Sequence, residues 1–191
     1  MAKTTESGPF LPPDYEVPKK AGKYMRFQKG ENRIRILAPP LLGYVAWKTQ
    51  DGKTSPLRRT LNEFHPDEFD KKTGTPKHFW AMPVWDYTTE RVKVLEMTQS
   101  TIQSVIKDLA GNKKWGTPTS YDIVITAIGD GMEREYSVIP DPKEPLCPAG
   151  QLAWEDLQDS FDINRLLANG DPFGDEPDVS VAGEGDEDIP F

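Results

Sequence analysis

The clearest strand pattern in the chain lies in residues 79–97, FWAMPVWDYTTERVKVLEM. Residues 79–87 and 91–97 are rich in aromatic and β-branched side chains, which favour strands, and a short polar segment separates them. We therefore predict two antiparallel strands joined as a β-hairpin. Because alternate side chains of a strand point to opposite sides, this hairpin has two faces that differ in composition.

One predicted face is apolar and suits a core. It carries Trp80, Met82, Val84, Val92 and Val94. The opposite face carries Phe79, Trp85, Tyr87, Arg91 and Lys93. Aromatic rings mixed with cations on an exposed sheet suit a single-stranded nucleic acid, because bases stack on rings while cations contact phosphates. The alternative is that these rings fill a second layer of core, and a bulge at Leu95 and Glu96, which break the alternation, would reverse part of the assignment.

A strand with two cationic side chains precedes this hairpin. In residues 32–37, NRIRIL, two isoleucines alternate with Arg33 and Arg35, which is the period of a half-buried strand. One face of this strand is therefore apolar, and the other is doubly positive.

The next predicted strand, residues 42–48, follows a Pro-Pro pair. Residues 49–77 show neither a strand nor a helix period, so we predict a long insertion between strands. Its His65, together with His78 and nearby acids, raises the question of a metal, but no Cys-x-x-Cys motif or close histidine pair supports one. We expect neither a metal nor a cofactor.

A helix and a second hairpin follow. Ser100 and Gln103 match a capping box, and apolar residues then recur at helical spacing as far as Gly111. Residues 121–128 and 133–139 flank a Gly-Asp-Gly turn and predict two more strands. A single helix after the third barrel strand and before a final hairpin is the order of the OB-fold. We therefore expect a mainly β chain: a five-stranded Greek-key barrel of the OB type with one capping helix, a long strand-connecting insertion and a disordered acidic tail.

Composition divides the rest of the chain. Residues 1–23, which contain four prolines, predict an extended arm, and residues 24–150 are expected to hold the barrel. Residues 151–168 indicate a short helix or a linker, and residues 169–191 indicate a disordered tail. Eight Asp and Glu but no Lys or Arg lie from residue 169 onward, which matches the net charge of −8 of the whole chain.

The chain ends in the acidic tip Asp186-Glu187-Asp188-Ile189-Pro190-Phe191. Three apolar residues bury too little surface to order themselves, so the tip must be a ligand for something else. It resembles the acidic C-terminal tip of bacterial single-stranded-DNA-binding proteins. The whole chain resembles a phage-encoded single-stranded-DNA-binding protein of the OB type. Besides the tip, this resemblance rests on residues 32–37, on residues 95–99 leading into the helix, and on Trp115-Gly116 before the strand at 121–123.

The resemblance implies a protein that coats single-stranded DNA without sequence specificity during DNA replication, recombination and repair. Its tip would recruit replication and recombination proteins, with Phe191 entering a pocket of the partner. Residues 1–150 hold 22 Lys and Arg against 19 Asp and Glu, whereas residues 151–191 hold 1 against 12. This asymmetry suggests that the tail competes for the DNA groove when no DNA is bound.

The predicted contacts with single-stranded DNA combine the cationic strand, the aromatic hairpin face and nearby residues. They are Arg33, Arg35, Trp47, Arg59, Lys77, Phe79, Trp85, Tyr87, Arg91, Lys93 and Trp115. We expect a monomer or a dimer, with cooperativity on DNA left open.

No nucleophile, general base or metal cluster stands out, so we expect no enzyme. The single Cys147, the lack of an apolar membrane span and the lack of a signal-peptide pattern predict a soluble protein of the cytoplasm, the host's if the chain is phage-encoded. The rival function is an OB-type protein-interaction module, such as a recombination mediator or inhibitor, that uses the tip to occupy partner pockets.

Overall fold

The computed structural model of the chain describes residues 22–69 and 74–174. Nearly all of the predicted arm and the whole predicted tip, 186–191, lie outside the described residues. The strands are β1 (Gly30–Ile36), β2 (Leu41–Gln50), β3 (Lys53–Thr60), β4 (Lys77–Asp86), β5 (Arg91–Met97), β6 (Tyr121–Ile128) and β7 (Glu135–Lys143). The helices are α1 (Ser100–Gly111), α2 (Pro148–Leu157) and a six-residue 3-10 helix, Ile163–Ala168; three-residue 3-10 turns are Pro66–Glu68, Pro118–Ser120 and Gly131–Glu133.

The seven strands form one antiparallel sheet with β4 at its centre. Strand β5 pairs with one edge of β4, whereas the other edge pairs with β2 in its first half and with β1 in its second half. Strands β6 and β7 extend the sheet beyond β1, and β3 extends it beyond β2. The mainly β prediction is confirmed, and the order of elements, with α1 between β5 and β6, is consistent with an OB-like fold.

The sheet has seven strands, whereas the sequence predicted six strand segments and a barrel of five. The strand that was not predicted, β3, lies in the predicted insertion. Strands β2 and β3 form a hairpin closed by the two-residue loop Asp51-Gly52, whose φ angles are 53° and 76°. Positive φ at both loop residues is the requirement of the tightest hairpin turn. The prediction missed β3 because it is an edge strand with a proline and without a buried face, so it has no apolar period.

The main core lies between the inner face of the sheet and helix α1. Its buried members are Met25, Ile34, Ile36, Met82, Val84, Leu95, Met97, Ile102, Ile106, Tyr121, Ile123 and Ile125. Met82 and Val84 were predicted to face this core and Trp80 packs against it, so the inner face of β4 is as expected.

The face assignment of β5 was wrong by one residue. The register pairs Asp86 with Arg91 and Trp85 with Val92, so Val94 lies opposite Pro83 on the outer face. Leu95 and Met97 therefore enter the main core instead. The four-residue connection between the strands sets this register, and a shift of one residue exchanges the two faces of a strand.

A second core covers the outer face of β4 and β5. Phe79, Ala81, Val94 and Leu166 are buried in it, and Leu41, Val45, Phe161, Ile163 and Phe173 pack against them. Much of this cover comes from residues 144–174, which we call the C-terminal strap. The alternative reading of the sequence, a second layer of core, is thus correct for this face.

The strap extends further along the chain than predicted, so the predicted start of the tail at residue 169 needs correction. Residues 169–174 were expected to be disordered, but Phe173 packs on the second core and Asp171 forms an ion pair with Lys23. Asn169 ends the 3-10 helix in a left-handed conformation, and its side chain accepts a hydrogen bond from Arg58. Apolar contact and two polar contacts therefore hold this segment to the sheet.

Leu166 anchors the strap, so we expect Leu166→Ala to destabilise the protein. Its side chain is fully buried in the second core, and truncation there removes apolar contact and leaves a cavity. Urea unfolding should show a loss of about 2 to 5 kcal/mol. The matched control Leu152→Ala, on an exposed position of α2, should stay within about 0.5 kcal/mol of the original. Equal stability of the two variants would show that the strap contributes nothing.

Candidate nucleic-acid interface

The outer face of the sheet is divided into three zones. The strap lies over its middle, on β4 and β5. On one side of the strap the β2–β3 hairpin extends outward, and on the other side lie β1, β6 and β7. Residues directly opposite each other in paired antiparallel strands share a face, so the register assigns each predicted contact to one of these zones.

The middle zone holds the two aromatic residues that were predicted to stack on bases. Trp85 is only 2% exposed and Phe79 is fully buried. Gly150 of α2 packs so closely that a Cβ atom on it would lie 3.0 Å from the Trp85 ring. The prediction that Trp85 and Phe79 are exposed stacking residues is therefore wrong, because the strap occupies the space that a base would need.

In the β1 and β6 zone, three predicted contacts converge on one buried carboxylate. Asp122 accepts hydrogen bonds from Arg35 Nε at 2.6 Å, from Arg33 Nε at 3.0 Å and from the Tyr87 hydroxyl at 3.0 Å. Arg33 Nη2 also lies 3.0 Å from Asp141. A buried carboxylate needs such partners to offset the loss of hydration.

This network fixes the roles that Arg35 and Tyr87 can play. Arg35 is 2% exposed, and its Nη2 donates to the backbone carbonyl of Glu144 at 3.0 Å, so its prediction as a phosphate contact is wrong. Burial raises the pKa of Tyr87, and its hydrogen bond to Asp122 raises the pKa further, so the hydroxyl remains a donor. Only Arg33 keeps an exposed guanidinium, which lies 5.1 Å from the centre of the Tyr87 ring.

Lys93 lies on the other face of the sheet from the one predicted. It pairs with Val84 in the register, and its ammonium lies 2.9 Å from Asp86 Oδ2. Both side chains are buried, so the prediction of Lys93 as an exposed phosphate contact is wrong. Burial works to raise the pKa of Asp86, but hydrogen bonds from Lys93 and Thr89 outweigh it and hold the pKa below the ordinary value.

Three further predicted residues lie apart from one another. The half-buried Trp115 packs against the main core, with its ring centre 5.4 Å from that of Tyr121, so it does not belong to the outer face. Arg59 lies on the edge strand β3 and donates to Glu68 at 2.7 Å. Arg91 is exposed at the start of β5, but it lies opposite Asp86 and therefore on the same side as Lys93, so the prediction that it shares the outer face with Trp85 is wrong.

The β2–β3 hairpin carries the most accessible of the predicted aromatic residues. Trp47 is 55% exposed and lies opposite Pro56. Lys77 lies opposite Val45, so it shares the outer face with Trp47 at neighbouring positions. Only glycine fits at position 43, because a Cβ atom there would lie 2.1 Å from the backbone oxygen of Arg59 in β3 and 2.9 Å from the Phe79 ring in β4.

Two cations of this hairpin were missed as candidate contacts. Lys48 and Lys53 are exposed near its turn, but the register places them on the face of the ribbon opposite to Trp47, because Lys48 is the next residue along β2 and Lys53 lies opposite Gln50. The dipeptide Asp51-Gly52 is a strong hairpin signal, and it would have placed both lysines on the same hairpin as Trp47. We call Trp47 and Lys77, together with Lys48 and Lys53 on the reverse face of the ribbon, the hairpin surface. Asp51 at the turn is its nearest acidic neighbour along the chain.

Two negative findings apply to residues 22–69 and 74–174. No three His, Cys, Asp or Glu side chains lie close enough together to hold a metal ion. None of the helices there is both long and apolar enough to cross a membrane. The expected absence of a metal stays a prediction.

Comparison with known proteins finds a distant viral relative. The chain is 27% identical to the probable ssDNA-binding protein of Escherichia phage T5 over 139 aligned residues. This chain is similar to a phage protein. The aligned region covers 61% of this chain and 54% of the phage protein, so the chain spans about half the length of that relative. No family model and no solved structure matches.

The Asp86–Lys93 pair predicts a loss of stability in acid. Because the pKa of Asp86 is lowered in the folded protein, its contribution is present above the unfolded pKa of about 4 and is lost as the pH falls through the folded pKa. The variant Asp86→Asn cannot titrate, so its unfolding free energy should fall less steeply below about pH 4 than that of the original. Urea unfolding at a series of pH values measures both slopes, and identical slopes would contradict this assignment.

Proposed function

We propose that this chain binds single-stranded DNA without sequence preference and that the hairpin surface is its main interface. The observation that carries the proposal is the exposed Trp47, which lies outside the area covered by the strap and shares its face with the exposed Lys77 of β4. The similarity to a phage protein named a probable ssDNA-binding protein supports the same ligand.

The chemistry of the hairpin surface fits an unpaired strand. A base that stacks on an exposed ring contributes about 1 to 3 kcal/mol, and every base has a π-face, so stacking is tolerant of sequence. Lys77 supplies an ammonium group on the same face as Trp47, and Lys48 and Lys53 add positive charge from the reverse face of the ribbon. A duplex hides its base faces within the stack, so it offers this surface only its phosphates.

Other exposed cations extend the proposed interface beyond the hairpin. Arg33 lies on the outer face across the strap, and Arg91 lies at the start of β5. Arg59 remains partly exposed beside Glu68 on β3. We assign these arginines a supporting role, because a cation alone attracts phosphate but holds no base.

The proposed biological role is to coat transient single strands during DNA replication, recombination and repair of a phage in the cytoplasm of its host. Recruitment of replication and recombination proteins is proposed for the tip, residues 186–191. Its carboxylates would meet a basic surface of the partner, and Phe191 would be the buried anchor.

A protein-interaction module is the second candidate function, and one observation favours it. Ile128 and Ile139 are both more than half exposed on β6 and β7, on the outer face beyond the strap. These two isoleucines offer apolar area to a partner protein on one sheet face, with Ile139 opposite Val124, four residues along β6 from Ile128. This candidate predicts that the full chain does not bind oligo-dT.

The direct test of the proposed interface is Trp47→Ala. Loss of one stacked base should weaken binding to oligo-dT roughly 5- to 150-fold, measured by the anisotropy of a labelled oligonucleotide so that the lost tryptophan does not affect the signal. Leu152→Ala, an equally exposed apolar side chain on α2, is the matched control and should change nothing. If Trp47→Ala binds oligo-dT within twofold of the original affinity, the hairpin surface is not the interface. If the original chain does not bind oligo-dT at all, the second candidate function is favoured.

A further inference from the structure

A cavity of about 660 Å³ lies at the end of β4 opposite to the hairpin surface. It opens to solvent and is lined by the segment before β1, by the β4–β5 turn and by the end of the strap. Lys77 and Asp86 mark the two ends of β4, which are about 30 Å apart at a strand rise of ~3.3 Å per residue. The cavity is therefore a separate site from the hairpin surface.

Positive charge predominates among the side chains of the cavity. Lys23, Arg26 and Lys93 face it, together with the carboxylates of Asp86 and Asp171. Each carboxylate already has a lysine partner, since Asp86 pairs with Lys93 and Asp171 pairs with Lys23. Arg26 is exposed and forms no ion pair with any residue that the structure describes. Its guanidinium is available to an anion.

An accessible aromatic ring stands beside these cations. Tyr24 is 44% exposed and also lines the cavity. Its backbone is fixed against β5, because the N–H of Met25 donates to the Val94 carbonyl at 2.8 Å and the N–H of Val94 donates to the Lys23 carbonyl at 2.9 Å. The ring is thus presented from a strand-like segment rather than from a free loop.

The strap places a carboxylate where an anionic ligand would lie. Asp171 contacts Lys23 and accepts a hydrogen bond from the backbone N–H of Phe173 at 2.9 Å. A carboxylate and a phosphate both satisfy an ammonium group through anionic oxygens. Asp171 therefore resembles an internal substitute for a phosphate, held there by the packing of Phe173 on the second core.

We infer that this cavity is a second nucleotide subsite for single-stranded DNA. Tyr24 stacks on a base, Arg26 and Lys23 contact the adjoining phosphate, and Asp171 occupies the phosphate position until DNA displaces it. This inference rests on the proposed function and adds a site at the other end of β4. It also makes the end of the strap a competitor of DNA without requiring the whole strap to leave the sheet.

The test measures the affinity of full-length variants for labelled oligo-dT at low salt. Tyr24→Leu should weaken binding about fivefold or more, both alone and in the Trp47→Ala background. Arg26→Gln, which changes an exposed side chain and should leave the fold intact, should also weaken binding and should lower the salt dependence by about 0.7 in log–log slope. The control Lys107→Gln removes an exposed cation from α1 and should have neither effect.

Asp171→Asn tests the competition. It should raise the affinity for oligo-dT at low salt, and the gain should shrink as salt is added, because screening weakens both the ion pair and the phosphate contact. Asp108→Asn, an exposed acid of α1, is the matched control for the loss of one negative charge.

The outcomes separate the two proposals. If Trp47→Ala weakens binding while Tyr24→Leu and Arg26→Gln stay within twofold of the original, the subsite is overturned and the proposed function stands. If Asp171→Asn leaves the affinity at low salt unchanged, the inference that the Asp171 carboxylate occupies the phosphate position is overturned. If the original chain does not bind oligo-dT, both proposals fail together.

Discussion

The structure depends on the burial of β4 on both of its faces. Its inner side chains, such as Met82 and Val84, belong to the main core, and its outer side chains, such as Phe79 and Trp85, lie beneath other parts of the chain. Both edges of the strand are paired as well. Beyond its exposed first residue, Lys77, a strand so enclosed has no surface left for a ligand, so any interface must lie at the periphery of the sheet.

The periphery explains the positions of the two proposed contacts with DNA. The β2–β3 hairpin extends past the first half of β4 and exposes Trp47, while the segment before β1 runs beside β5 and exposes Tyr24. Each ring has cations nearby. The strap and the Asp122 network lie between these two contacts, and both stabilise the sheet. In that network, loss of Asp122 would leave the buried charge of Arg35 without its partner, which typically costs about 3 to 5 kcal/mol.

The local patterns of the sequence were sufficient for much of this fold. Alternating isoleucines and arginines predicted β1, and the run from Phe79 to Met97 predicted β4 and β5. The spacing of apolar residues after Ser100 predicted α1. These signals come from neighbours along the chain. Edge strand β3 lacked them because none of its residues is fully buried, and only Asp51-Gly52 marked the hairpin.

The candidate site was less predictable, because exposure depends on residues far away in the sequence. Alternation placed Trp85 correctly on the outer face, but Gly150, which lies 65 positions further on, decides that this face is covered. Likewise, Arg33 and Arg35 look alike in sequence. Only the position of Asp122 and Glu144 shows that Arg35 is buried and that Arg33 reaches solvent.

The central claim is that single-stranded DNA binds at the periphery while the middle of the sheet stays covered. The five tryptophans give five indole N–H signals in a heteronuclear NMR spectrum, and a titration of the full chain with oligo-dT reports on each of them. The account predicts a large shift or broadening for Trp47 and little change for Trp85. A Trp85 signal that moves while that of Trp47 stays fixed would show that DNA displaces the strap from the middle of the sheet, and it would contradict the account.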